Sequence, residues 1–173
     1  INSTPQSTGL IEKADVASGT ELFVRADLHS DLATLIFQLD ALKEKGYLDA
    51  NYHCRNGFHM IFLGDFMDRG HNDIELLSIL LKLRMENPDN IHLVHGNHED
   101  TDFQSRYSSE IEWILSHQIP LEEFYKSLPY QFSVSEREGG SRAGKEGRRE
   151  YVHFVHGKIS PFVDAVPFLE GPA

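Results

Sequence analysis

The segment HMIFLGDFMDRG, residues 59–70, decides how the rest of the chain is read. Met60, Ile61, Phe62 and Leu63 form an unbroken apolar run, the pattern of a strand buried on both faces. It ends abruptly in Asp65, Asp68 and Arg69, with Gly64 and Gly70 allowing sharp turns and close backbone approach around them. Taken alone, Asp68 and Arg69 would be a turn with a surface ion pair. The same arrangement recurs along the chain, and that recurrence argues against so local an explanation.

Three more apolar runs end in side chains able to bind metal. LFVRAD (22–27) leads into Asp27 and His29, NIHLVHGN (90–97) into Asn97 and His98, and YVHFVHG (151–157) into His156. Helical spacing lies between them. Leu32, Leu35, Ile36, Leu39 and Leu42 predict a helix after Ser30, its expected N-cap, with Gly46 at the C′ position. A second helix is predicted from about Asp73, with Asn72 and Glu75 as a capping box and Pro88 as its stop. Residues 108–118 and 121–128 read as further helices, with Trp113 in the core beside Ile111, Ile114 and Leu115, and YQFSV (130–134) reads as a strand. Strands alternating with helices predict an α/β layered fold with a substantially parallel sheet, whose ligands bind beyond the carboxyl ends of the strands.

The chain has 173 residues, 40% of them hydrophobic, which suits one compact domain. Against 27 acidic residues stand 16 basic ones, so the formal charge is −11, which argues against a broad attraction to nucleic acid or an anionic membrane. Cys54 is the only cysteine, which rules out an intramolecular disulfide and fits the cytoplasm or another reducing compartment. No apolar stretch approaches the roughly 20 residues of a membrane span. Residues 1–20 read as a flexible lead-in and 21–173 as the domain that carries these clusters, interrupted by a charged, glycine-rich flexible loop at 136–150. Arg142, Lys145, Arg148 and Arg149 in that loop are candidates for sensing substrate.

Carboxylates gathered at strand ends would repel one another without cations, and bound metal resolves this. Mixed Asp, Asn and His donors suit Mn, Fe or Zn better than Ca or Mg. Two ions about 3.5 to 4 Å apart need a bridging carboxylate and can clamp a phosphoryl group between them. Asp65 is the candidate bridge.

These residues carry a family resemblance. ADLHS (26–30) resembles the GDxHG element of the phosphoprotein phosphatase family, GDFMDRG (64–70) its GDxxDRG element, GNHE (96–99) its GNHE element and HGKISP (156–161) its HGGLSP element. The order is conserved with the family pattern, and the match runs from about residue 22 to 163. The resemblance implies a metallophosphoesterase-type α/β/β/α sandwich and a phosphorylated protein as substrate. It implies that Asp27 and His29 hold a first ion, Asp65 bridges, and Asn97 and His156 hold a second. It also implies direct attack of a metal-bound hydroxide on phosphorus, with Arg69 gripping phosphate oxygens. His98 would protonate the leaving group as general acid, oriented by Asp68.

The departures are specific. Ala26 and Ser30 replace family glycines, and Lys158 stands where the family has a second glycine. No histidine follows His156, although the family completes its second metal site with one; together with Ile1 as first residue, this leads us to expect a piece of a longer chain. A nucleotidase or dinucleoside-polyphosphate hydrolase of the same superfamily is a second reading, weakened because VHFVHGK lacks the GHxH ending of nuclease-type relatives. A non-catalytic binding domain with a defective second site is a third. Bacterial members include secreted effectors acting in host cells, a location that no residue here establishes. His53, His59, His71, His92, His117 and Glu99 are expected to pack or hydrogen-bond locally, with His95 and His153 as candidates for supporting the ligands from behind.

Overall fold

The computed structural model describes residues 6–7, 11–105, 108–136 and 150–157. Among the described residues, seven strands and five helices follow in order: β1 (Gln6–Ser7), β2 (Ile11–Val16), β3 (Glu21–Arg25), α1 (Leu32–Glu44), β4 (Phe58–Phe62), α2 (Asp73–Glu86), β5 (Ile91–Leu93), α3 (Thr101–Gln104), α4 (Ser109–Ser116), α5 (Leu121–Ser127), β6 (Gln131–Glu136) and β7 (Tyr151–Val155). Strands β3, β4 and β5 form a wholly parallel sheet in that order. The other sheet runs β1-β2-β6-β7, with β2 and β6 parallel and the outer pairs antiparallel.

The alternation of side chains along a strand explains how these layers stack. Phe58, Met60 and Phe62 of β4, with Ile91 and Leu93 of β5, pack against Leu35, Leu39, Leu76, Leu80 and Leu83 of α1 and α2. On the opposite face Ile61 and Val94 meet Ala14, Val16, Phe132 and Val134 of the second sheet. Helices, parallel sheet and second sheet therefore follow one another, three layers of the expected sandwich. The central strand β4 is buried along its whole length, as its unbroken apolar run predicts.

Four local expectations need correction. Residues 11–16, expected within a flexible lead-in, form β2 and pair with β6. Its sequence IEKADV hides the strand because Glu12 and Lys13 are charged, yet both are buried. The Glu12 carboxylate accepts a hydrogen bond from His92 Nδ1 at 2.7 Å across the sheet interface, a partner that local pattern does not reveal. The cap of α1 is Asp31, whose side chain accepts from Thr34 N at 3.0 Å, while the Ser30 hydroxyl turns to Asp73. Asn72 precedes α2 without a side-chain cap bond, so the capping box does not form. Trp113 is half exposed and tilted over His117, because the short α4 buries one stripe, Ile111 and Ile114.

Gly46 follows α1 in the left-handed conformation, φ 77°, as its C′ assignment requires. No helix among the described residues is long and apolar enough to cross a membrane. Residues 137–149 of the expected loop, with Arg142, Lys145, Arg148 and Arg149, lie outside the described residues, as does Lys158.

Candidate metal centre and active site

The parallel β3, β4 and β5 deliver their following loops to one edge of the sheet. The loop after β3 is laced to the loop after β4 by backbone bonds of 2.9 Å from Leu28 N and His29 N to Asp65 O, and from Ser30 N to Phe66 O. The loops after β4 and β5 touch through glycine. A Cβ on Gly64 would lie 2.3 Å from Gly96 N, and one on Gly96 would lie 2.3 Å from Asp65 Oδ1. Only glycine permits that approach. The turns are tight enough that His29, Ser30, Asp65, Asp68 and Arg69 all take positive φ, between 43° and 79°.

Every residue expected to bind metal arrives in one cluster. Asp65 Oδ2 lies 3.3 Å from His156 Nε2 and 3.7 Å from His29 Nε2. Asp27 faces the same two rings, 3.7 Å from His29 and 3.8 Å from His156. Asn97 Oδ1 lies 2.9 Å from His156 Nε2. His156 thus comes from the second sheet, at the end of β7, to join groups from the parallel sheet.

These separations bear on whether metal fits. Most exceed a hydrogen bond, so the donors face a shared space rather than one another. They are close to the roughly 3.4 Å expected between donors of a tetrahedral ion bound at about 2.1 Å. Two triads have ligand atoms within 4.8 Å of each other: Asp27, Asp65 and His156, and His29, Asp65 and His98. Both share Asp65. They cut across the expected division, grouping Asp27 with His156 and His29 with His98. The two ring nitrogens of His98 are engaged elsewhere, by Asp68 and Arg69, unlike the side chains of Asp27, His29, Asp65, Asn97 and His156, which face the shared space.

His98 is buried and held at both nitrogens. Its Nδ1 lies 2.9 Å from Asp68 Oδ2, and Arg69 Nη2 donates to its Nε2 at 2.9 Å. A nitrogen that accepts from a guanidinium carries no proton, so in this arrangement the ring proton sits on Nδ1, facing Asp68. The backbone N of His98 donates to Asp65 Oδ1 at 2.9 Å, joining the metal cluster to the histidine. The ring stands edge-on to His29, with centroids 4.8 Å apart.

Two buried carboxylates behind the site have larger roles than their sequence positions disclose. Glu99, 3% exposed, accepts from Asp65 N at 2.8 Å, Phe66 N at 3.0 Å and Gly96 N at 2.7 Å. It ties the β4 and β5 loops together beneath the cluster. Burial pushes its carboxyl above the usual range, and the three N–H donors pull the other way. Asp73, 1% exposed, accepts from Asp68 N at 2.8 Å, from Ser108 Oγ at 2.6 Å and from the Ser30 hydroxyl. A carboxylate three residues after a glycine turn reads only as a helix start; nothing local shows that its partners lie on three other segments.

Of the two histidines expected behind the ligands, His95 packs against Tyr130 with ring centroids 4.4 Å apart, and burial lowers its pKa. His153 Nδ1 lies 2.9 Å from Ser133 Oγ within the second sheet. His59 and His92 stack between the sheets, as packed histidines should.

The sequence model of the calcineurin-like phosphoesterase family matches residues 22–170. Serine/threonine-protein phosphatase with EF-hands 1 from Homo sapiens is 36% identical over 118 residues, 63% of this chain and 16% of that protein. Serine/threonine-protein phosphatase 7 from Arabidopsis thaliana is 33% identical over 98 residues, 57% of this chain and 22% of that protein. The match thus spans less than a quarter of the length of either relative. A solved mutant of a cold-active protein tyrosine phosphatase superposes with a TM-score of 0.51 over 69% of this chain and 42% of the other, at 20% identity, which is a likeness of fold.

Proposed function

Because the chain belongs to the calcineurin-like phosphoesterase family, we propose that it is a metal-dependent phosphoprotein phosphatase that hydrolyses phosphomonoesters with two divalent ions. The observation that carries this is the seating of His98 between Asp68 and Arg69 at the rim of the Asp65 cluster. The printed names of the human and Arabidopsis relatives support a phosphorylated protein as the substrate class.

In this proposal Asp27, His29 and Asp65 would hold one ion, and Asp65, Asn97 and His156 the other. Asp65, whose Oδ2 faces both His29 and His156, is the residue that would be shared between the two ions. The donor set of carboxylate, amide and imidazole suits Mn, Fe or Zn. When bound, the ions supply Lewis acidity that neutralises phosphoryl charge and brings the pKa of water toward neutrality.

The remaining roles belong to side chains of this chain. Arg69 turns its planar fork from His98 to two phosphate oxygens, which a lysine could not grip bidentately. That movement vacates Nε2 of His98, which takes up a proton from solvent to complete the imidazolium and then gives it to the departing oxygen. Asp68 keeps Nδ1–H pointed at itself and stabilises the imidazolium. The buried seat of His98 keeps the ring from swinging away from the leaving group.

The test is turnover of phosphopeptides, nucleotides and an aryl phosphate with Mn added, for wild type, Asp65→Asn and His98→Asn. Phosphopeptide turnover should fall on the order of 100-fold in His98→Asn, the scale of general-acid catalysis. Equal activity in all three proteins would refute the assignment, and preferential turnover of nucleotides would move it to the nucleotidase branch.

A further inference from the structure

We propose that Asp73 is a positioning residue for proton delivery, acting on His98 through Asp68; this rests on the general-acid role proposed above. The argument starts from an oddity of placement. A carboxylate 1% exposed, at the first residue of the 14-residue helix α2, has no cation paired with it among the described residues. Burying a carboxylate in that way is costly unless its oxygens are fully used.

They are used on three segments at once. Oδ1 accepts both from Asp68 N at 2.8 Å and from the Ser30 hydroxyl, and Oδ2 accepts from Ser108 Oγ at 2.6 Å. The positive end of α2 adds a favourable field for the charge. Ser30 directly follows His29, and Ser108 directly precedes α4, so Asp73 joins the first metal loop, the Asp68 turn and α4 at one point.

The bond to Asp68 N matters most for the chemistry. Asp68 has φ 79°, a left-handed conformation that a residue with a Cβ keeps only when its surroundings hold it there. Its side chain is fully committed, Oδ1 to Arg69 N at 2.6 Å and Oδ2 to His98 Nδ1 at 2.9 Å. Without the Asp73 acceptor, Asp68 N would be an unpaired buried donor, and relaxing the turn to find water would swing Oδ2 away from His98. The relay Asp73 to Asp68 to His98 thus transmits position rather than charge.

This role has a signature that a merely structural one lacks. An alkyl leaving group depends on protonation by His98, whereas p-nitrophenolate departs with little help. The experiment compares kcat on a phosphoserine peptide and on p-nitrophenyl phosphate for wild type, Asp73→Ala and Asp73→Asn, all loaded with Mn. In Asp73→Ala, kcat on the peptide should fall on the order of tenfold further than kcat on the aryl ester. Asp73→Asn should restore the ratio, because its amide oxygen can serve Asp68 N and Ser30 while its NH2 faces the Ser108 hydroxyl. Equal losses on both substrates, or none, would overturn the proposal. If Asp73→Ala does not fold, Asp73→Ser takes its place, since one short hydroxyl cannot serve three donors, and the same two outcomes decide. A wild type inactive on both substrates would overturn the phosphatase reading and this role with it; an active wild type with an unchanged ratio overturns this role alone.

Discussion

Replacing Glu99 by glutamine changes one atom and should cost about 2 kcal/mol of folding stability. The carboxylate accepts three backbone N–H groups, two on Oε2 and one on Oε1. Glutamine has one acceptor oxygen, and the better orientation places it where Oε2 was, keeping Asp65 N and Gly96 N. Its NH2 then points at the N–H of Phe66, leaving a buried donor unsatisfied at a cost of about 1–3 kcal/mol. The two retained bonds lose their charge assistance, on the order of 1 kcal/mol in total. Against this, a neutral amide avoids the burial cost that raises the Glu99 carboxyl, which offsets part of the loss. The assay is urea unfolding of both proteins under identical metal conditions. With a slope of about 2 kcal/mol per molar urea, the midpoint should drop by roughly 1 M at constant slope. A midpoint shifted by less than about 0.2 M would refute the claim that this carboxylate clamps the two loops.

Gly96→Ala should abolish stoichiometric metal binding, measured by elemental analysis of the purified protein, because its Cβ would stand 2.3 Å from Asp65 Oδ1 and force the bridge aside. Arg69→Lys should raise KM for a phosphopeptide at least about tenfold while leaving the fold intact, since an ammonium cannot reproduce a bidentate grip. Burial pushes the His59 imidazole down to about 4, whereas in the unfolded chain it titrates near its ordinary value. The unfolded state therefore takes up the proton first, and stability present above about pH 6.5 declines as the pH falls toward 4. Thermal unfolding across that range should show a shallower decline in His59→Asn than in wild type.

The architecture was legible wherever local pattern and tertiary role coincide. The run through Met60, Ile61 and Phe62 reads as a buried strand and is one, because a strand covered on both faces needs apolar residues at every position. Asp27, His29, Asp65 and Asn97 could be placed at one rim because each follows a strand of the parallel sheet, and parallel strands bring like ends together; His156 reaches the same rim from the end of β7, an antiparallel strand of the second sheet. What escaped has its cause far away in sequence. Glu12 lies 80 residues from the His92 that makes its burial tolerable, so β2 looks like a polar tail. Asp73 and Glu99 read as a helix start and a local polar group, since an acceptor's identity says nothing about which donors reach it. Trp113 was misplaced for the opposite reason: its spacing is helical, but an eight-residue helix presents too narrow a face to bury it.

The left-handed turns at His29, Ser30, Asp65, Asp68 and Arg69 have a consequence for the protein's response to metal supply. Backbone strain of this kind amounts to about 1 kcal/mol or more at each residue. A ligand at 100 times its dissociation constant stabilises the state it binds by about 2.7 kcal/mol, enough to offset only two or three such residues. Loop order and ion occupancy are therefore two readings of a single equilibrium. Chelation should speed amide hydrogen exchange at residues 64–70 while β4 and α2, anchored in the core, keep their protection. The ions would then act as the last piece of the fold, and their free concentration would set the fraction of molecules whose rim is in working shape.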